Sequence, residues 1–199
     1  MGYFKYRFEN KEGHYYTKKV LFYNLSIIQL IYSTMKKKYL IVATFVISFF
    51  CSVGVVYATH YILGYSSVDS GEIRWGGHTT YSTPWNKAIA TWNALGKINI
   101  TPDTIYTYED LRVKGVDRSW VTWTGRYIYS IGTDTIQLNR YYLDSDRSGE
   151  QQNTATHELG HSLGLDDHEI YGNIMYYAQT SQTALGSQDI DDYGYLWGY

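Results

Sequence analysis

The stretch His157-Glu158-Leu159-Gly160-His161 constrains the fold of this chain more than any other. Two histidines four apart lie one turn apart on the same helix face, so both imidazoles can reach one metal ion. Glu158 stands between them, where its carboxylate can take a proton from a water, and zinc lowers the pKa of such a water to about 7. The five residues therefore encode hydrolysis and demand a helix with one side on a cleft and the other in the core. Ala155, Leu159 and Leu163 repeat every four residues on the face opposite the histidines and supply that anchor.

Gly164 stands where this helix should end, and glycine takes the left-handed conformation that turns a chain back toward its last turn. A third ligand then comes within reach, at Asp167 or at His168. With Asn173-Ile174-Met175-Tyr176-Tyr177 further on, the segment resembles the metzincin zinc peptidases, whose motif is HExxHxxGxxH or HExxHxxGxxD followed by a methionine turn. Asp167 falls in the third-ligand slot, the aspartate variant of snapalysin-like enzymes, and its gaps to Gly164 and Met175 match the matrixin pattern. His168, one residue later, remains the alternative.

The resemblance implies Zn2+ held by His157, His161 and Asp167 or His168, with Glu158 as general base. Met175 would be the hydrophobic floor beneath the ligands, and Tyr177 occupies the place of an oxyanion-stabilising tyrosine, with simple packing as its other reading. It also implies an α+β zincin fold: a twisted mixed sheet, two helices of which the second is catalytic, and a small C-terminal subdomain ending in a helix. The strand lying along the cleft would pair with an extended peptide, and Thr135 to Asn139 or its neighbour is placed to do so. The likeness runs from about Trp75 to the C-terminus and is specific only from His157 to Tyr177.

Met35-Lys36-Lys37-Lys38, an uncharged apolar run from Tyr39 to Tyr57 and the small residue Ala58 have the layout of a secretory signal peptide. Residues 1–34 are then an upstream segment preceding the true start, residues 35–58 the signal, and residues 59–199 the catalytic domain. The apolar run is also long enough to be a membrane anchor, which leaves secreted and cell-surface-anchored forms as the two readings. A cleaved signal leaves no stable membrane association.

From Thr59 onward there are nine Lys and Arg against 17 Asp and Glu, a balance of minus 8 that the whole-chain value of −2 conceals. Such acidity argues against nucleic-acid binding, which needs a basic patch. The single cysteine, Cys51, lies in the apolar run, so the domain has neither disulfide nor thiol chemistry. Asp144-Ser145-Asp146-Arg147-Ser148-Gly149 resembles half of a Ca2+ loop, but position twelve is Ala155 where such loops carry a bidentate glutamate. Ser148 with Gln151 also reads as a capping box for the catalytic helix, with Ca2+ at this loop kept as the lesser reading.

Ahead of the site, Ile73-Arg74-Trp75 opens the sheet, and Thr83 and Pro84 start a first helix as N-cap and first helical residue. Trp85, Ile89, Trp92 and Leu95 recur along it at helical spacing until Gly96, and Lys97-Ile98-Asn99-Ile100 follows as a strand parallel to the first. Thr101 to Asp117 has no clear assignment, while Ser119 to Asn139, with Gly125 and Gly132 as breaks, reads as two or three strands. Ser187 caps a last helix, with Asp189 in its first turn and Ile190, Leu196 and Trp197 as its apolar face. His60 and His78 have no histidine partner nearby in sequence and read as ordinary surface residues.

The expectation is a monomeric secreted zinc endopeptidase acting on peptide or protein. The competing class is a non-catalytic surface-binding protein on the same scaffold, with zinc purely structural. Such a site is closed by a fourth protein ligand and leaves Glu158 idle.

Overall fold

Ile73 is fully buried and Trp75, itself part-buried, packs against the core, so one face of this strand seeds the main sheet. The computed structural model describes residues 2–9, 15–22 and 59–198. The signal or anchor segment, residues 35–58, lies outside them. Among the described residues no helix is long and apolar enough to cross a membrane.

The chain divides into two units, Met1–Tyr57 and Ala58–Tyr199. In the first, β1 (Gly2–Glu9) pairs antiparallel with β2 (Tyr15–Phe22), Gly2 opposite Phe22 and Glu9 opposite Tyr15. The second unit is α+β. In chain order it holds β3 (Glu72–His78), α1 (Ser82–Asn93), β4 (Asn99–Pro102), β5 (Leu111–Val116), β6 (Gly125–Ile128) and β7 (Asp134–Asn139). The short helix α2 (Arg140–Leu143) follows, then the motif helix α3 (Ser148–Ser162) and the final helix α4 (Ser187–Trp197).

The five strands lie in the order β4-β3-β5-β7-β6. β3 is parallel to β4 and to β5, β5 is parallel to β7, and only β6 runs antiparallel, with Gly125 opposite Leu138. The expected parallel neighbours around α1 are therefore present. β7 is an interior strand, with Ile136, Gln137, Leu138 and Asn139 all buried, so the edge beside the motif helix is its neighbour β6. β5 is the strand hidden in the unassigned stretch: Leu111 and Val113 are fully buried between exposed Arg112 and Lys114.

α1 and α3 pack together, burying Trp85, Ala88 and Trp92 of one with Ala155 and Leu159 of the other. Trp92 Nε1 donates to the Thr156 carbonyl at 2.8 Å, so the two helices are locked in register by a buried polar bond. Ala155, Leu159 and Leu163 are all fully buried, as their spacing predicts.

Helix starts fall slightly away from their sequence signals. α1 begins at Ser82 with Tyr81 at the cap, which places Thr83 and Pro84 inside the first turn. The first four N–H groups of a helix have no internal partner, so proline fits anywhere there. For α3 the cap is Arg147, whose N–H donates to Glu150 Oε2 at 2.7 Å, while Gln151 donates to the Leu143 carbonyl. α4 departs further: its buried residues are Asp189, Asp192 and Tyr193, and Ile190 is 39% exposed. Its inward face is acidic because those carboxylates hold backbone and side-chain donors of neighbouring segments.

Candidate metal site

α3 carries His157 and His161 on its cleft side, with ring centroids 4.7 Å apart and planes at 90°. Their Nδ1 atoms lie 2.8 Å from the Ile174 carbonyl and 2.9 Å from the Leu165 carbonyl, respectively. A carbonyl can only accept, so Nδ1 carries a proton in each ring and Nε2 is the nitrogen left to bind a metal.

The Leu165 carbonyl arrives there through helix termination, and that of Ile174 through the turn that Asp189 holds. Gly164 has φ +92°, its N–H donates to the His161 carbonyl and the Leu165 N–H donates to the Gly160 carbonyl. This is a Schellman ending, and it swings Leu165 back against the last turn. Asp167 follows with its Oδ1 3.1 Å from His157 Nε2 and 3.7 Å from His161 Nε2. Three donor atoms, two imidazole nitrogens and a carboxylate oxygen, thus converge at a spacing that suits one divalent ion.

His168 is placed elsewhere. It is 3% exposed, packs edge-on to Tyr61, and its Nε2 lies 3.8 Å from Asp189 Oδ1. Its backbone pairs with the methionine turn: the His168 N–H donates to the Met175 carbonyl, and the Tyr177 N–H donates to the His168 carbonyl.

In the metal-free chain burial disfavours a charged His157, but Asp167 and Glu158 outweigh it and push the imidazole up to about 9. Burial would raise Asp167, and the facing imidazoles hold it below the usual carboxylate range instead. Burial pushes the Glu158 carboxyl above its usual range, against the pull of both imidazoles and the Tyr127 N–H. Glu158 is 6% exposed, and its Oε2 is buried with no hydrogen-bond partner.

Met175 is fully buried against Gly160, where an added Cβ would collide with its sulfur. Asp189 fastens this turn: one carboxylate oxygen accepts the N–H groups of Ile174 and Gly186, each at 2.7 Å, and the other accepts that of Met175 at 2.9 Å. The sequence marks Asp189 only as a first-turn acid, since its role depends on a segment 14 residues away.

A cleft of about 620 Å3 runs past the site between β6 and the segment after the methionine turn, lined by Gly125, Arg126 and Tyr127 on one side and Tyr177 and Gln179 on the other. Tyr177 is 61% exposed along it. Tyr127 is braced behind its ring: its hydroxyl donates to Asp134 Oδ2 at 2.5 Å, and Ser67 donates to the same oxygen at 2.7 Å. In the loop ahead of α3, Asp144 accepts the Tyr81 hydroxyl and Asp146 accepts the Gln179 amide.

Gly125, legible in sequence only as a strand break, has a steric role. A Cβ there would lie 2.6 Å from Glu158 Cγ and Oε1 and 2.7 Å from Thr154 Cγ2. If the site is the zinc centre proposed below, with Glu158 as its base, Gly125→Ala is expected to displace Glu158 and slow turnover roughly 10- to 100-fold, because misplacement of a reacting group by about 1 Å is that costly. Zinc content should be unchanged, so metal analysis beside a rate measurement checks it.

No family model matches the sequence, and no curated protein matches it. Among solved structures, the GM1-bound form of the ECX AB5 holotoxin is similar over 70% of this chain and 86% of that one, at 14% identity and a TM-score of 0.49. The structure of myroilysin is similar over 69% of this chain and 98% of that one, at 12% identity and a TM-score of 0.48. Likeness at this level says nothing of what this chain does.

Proposed function

We propose that the chain is a zinc-dependent endopeptidase of metzincin type, with His157, His161 and Asp167 as ligands and Glu158 as general base. The observation that carries this reading is the convergence of His157 Nε2, His161 Nε2 and Asp167 Oδ1 at the cleft, beside a buried carboxylate with an unpartnered oxygen. The donor set fits zinc, which prefers imidazole nitrogen and carboxylate oxygen in a four-coordinate site. Bound there, zinc supplies a Lewis acid for the scissile carbonyl and lowers the pKa of the attacking water.

The chain's own residues do the rest. The carbonyls of Ile174 and Leu165 keep both imidazoles in the tautomer that offers Nε2. Glu158 Oε2, with no competing donor, takes the proton of the attacking water and later releases it to the leaving amine nitrogen. Its raised proton affinity suits both halves of that transfer. The edge strand β6 offers its unpaired backbone to an extended peptide, so substrate is bound by sheet addition. Met175 supports the ligand helix from below through Gly160, and Tyr177 flanks the cleft.

Among the described residues no fourth His, Cys, Asp or Glu joins the three, which favours an open catalytic position over a closed structural site. The acidic domain is proposed to act as a secreted monomer on peptide or protein. Dialysis against a chelator is expected to abolish casein cleavage, and one equivalent of zinc at this site to restore it. Cleavage that persists in the metal-free protein would overturn the reading.

A further inference from the structure

His60, which reads in sequence as an ordinary surface residue, is drawn in the fold to two consecutive acids of α4. Its Nδ1 lies 3.1 Å from Asp192 Oδ1 and 3.6 Å from Asp191 Oδ2. The three donor atoms lie within 4.8 Å of one another, the same convergence found at His157, His161 and Asp167. We propose that His60, Asp191 and Asp192 form a second metal site, for a divalent transition metal such as zinc, that fastens residues 59–62 to α4.

The ring is set for this role. His60 stacks on Tyr195 with centroids 4.1 Å apart and planes 17° from parallel, which fixes the plane in which Nδ1 faces the carboxylates. Its two N–O separations bracket the roughly 3.3 Å edge of a tetrahedron built on metal bonds of about 2.0–2.1 Å. One nitrogen and two carboxylate oxygens suit a transition metal, whereas Ca2+ requires six to eight oxygens.

An independent observation lies in Asp192 itself. Its carboxylate is turned into the cluster and fully buried, yet apart from His60 its Oδ1 accepts only two neutral donors, the Tyr61 N–H at 3.2 Å and the Gln188 amide at 2.9 Å. Its Oδ2 is buried and has no partner at all. A buried carboxylate with an orphaned oxygen is costly, and a cation taken by both Asp192 oxygens would remove that cost. The Asp191 side chain is 53% exposed, which leaves the cluster a path to solvent and room for water to complete the coordination.

The consequence reaches the first site without touching it. The Tyr61 carbonyl accepts the Asp166 N–H, and the Leu63 N–H donates to the Gly164 carbonyl, so the fastened segment lies against the turn that carries Asp167. α4 in turn holds the methionine turn through Asp189. One ion at His60 therefore ties together the two flanks of the other.

Zinc titrated into the full-length protein, with bound metal measured after gel filtration, tests this. Wild type is expected to bind two zinc ions per chain. His60→Ala and Asp191→Asn are expected to weaken one of them at least tenfold, and His157→Ala to lose the other. Asp191 is at the surface, so its variant decides the matter should His60→Ala fold poorly. In the His157→Ala protein zinc should still raise Tm, and adding Asp191→Asn should remove the rise. The site stands apart from peptidase activity: two bound ions without cleavage would support it. A wild type that binds one zinc, or a second zinc that survives both substitutions, overturns it and leaves His60 as an ion pair between two carboxylates.

Discussion

Asp167→Ala is expected to weaken zinc binding by more than about 100-fold and to abolish cleavage with it, whereas His168→Ala keeps both. Loss of a residue that merely orients a ligand costs 10- to 100-fold in affinity, so loss of a ligand must exceed that. Asp167 Oδ1 sits beside the two imidazole nitrogens, at 3.1 and 3.7 Å, and removing it leaves two donors and no liganding carboxylate. His168, fully enclosed with Tyr61 and Asp189, should instead cost stability, about 1–3 kcal/mol, as buried residues of a packed network do. Zinc titration and urea unfolding on the two variants separate these effects. The opposite pattern, zinc lost with His168 and kept without Asp167, would exchange their roles.

Zinc affinity is expected to rise about tenfold per pH unit between pH 7 and 9 and then to level. In the metal-free chain the Asp167 and Glu158 carboxylates outweigh burial and hold the His157 pKa at about 9, so one proton must leave before the metal binds. The sign for the fold is opposite. A histidine whose pKa is about 6.5 unfolded and about 9 folded contributes stability that is fully present below the first value and lost as pH rises through the second. The metal-free domain should therefore become less stable across the window in which the metal-bound form gains. Competition titrations with a metal-sensitive dye and thermal melts at stepped pH measure the two trends.

How far the sequence reaches depends on whether a residue's role is local. The motif helix was legible because its ligand spacing, its buried repeat at Ala155, Leu159 and Leu163 and its terminating Gly164 all lie within about three turns of one helix. β4 and α1 were legible for the same reason, though cap positions moved by one or two residues, since several backbone groups in a first turn can be satisfied in more than one way. β5 escaped assignment although Leu111 and Val113 alternate with charges, because the strand is short and follows a polar loop.

What the sequence withheld is long-range. Gly125 makes room for Glu158, 33 positions on, and nothing near it in the chain signals that. Asp189 reads only as a first-turn acid and Asp192 carries no signal, and the fold shows that both are buried acceptors. The expected apolar face holds at its end, where Trp197 packs against the core and Leu196 lies beside Gly164, but fails at Ile190, which is exposed while Asp189, Asp192 and Tyr193 are buried. The preference for Asp167 over His168 as the proposed third ligand likewise rests on a long-range arrangement, the burial of the His168 ring beside Tyr61 and Asp189.

The most direct measurement is casein cleavage and bound zinc on the same preparations of wild type and Glu158→Ala. If Glu158 is the base beside a metal held by His157, His161 and Asp167, the variant keeps its zinc at that site and loses about 100- to 10,000-fold in rate, the contribution of a positioned general base. A variant that cleaves as fast as wild type at equal zinc content would contradict the account.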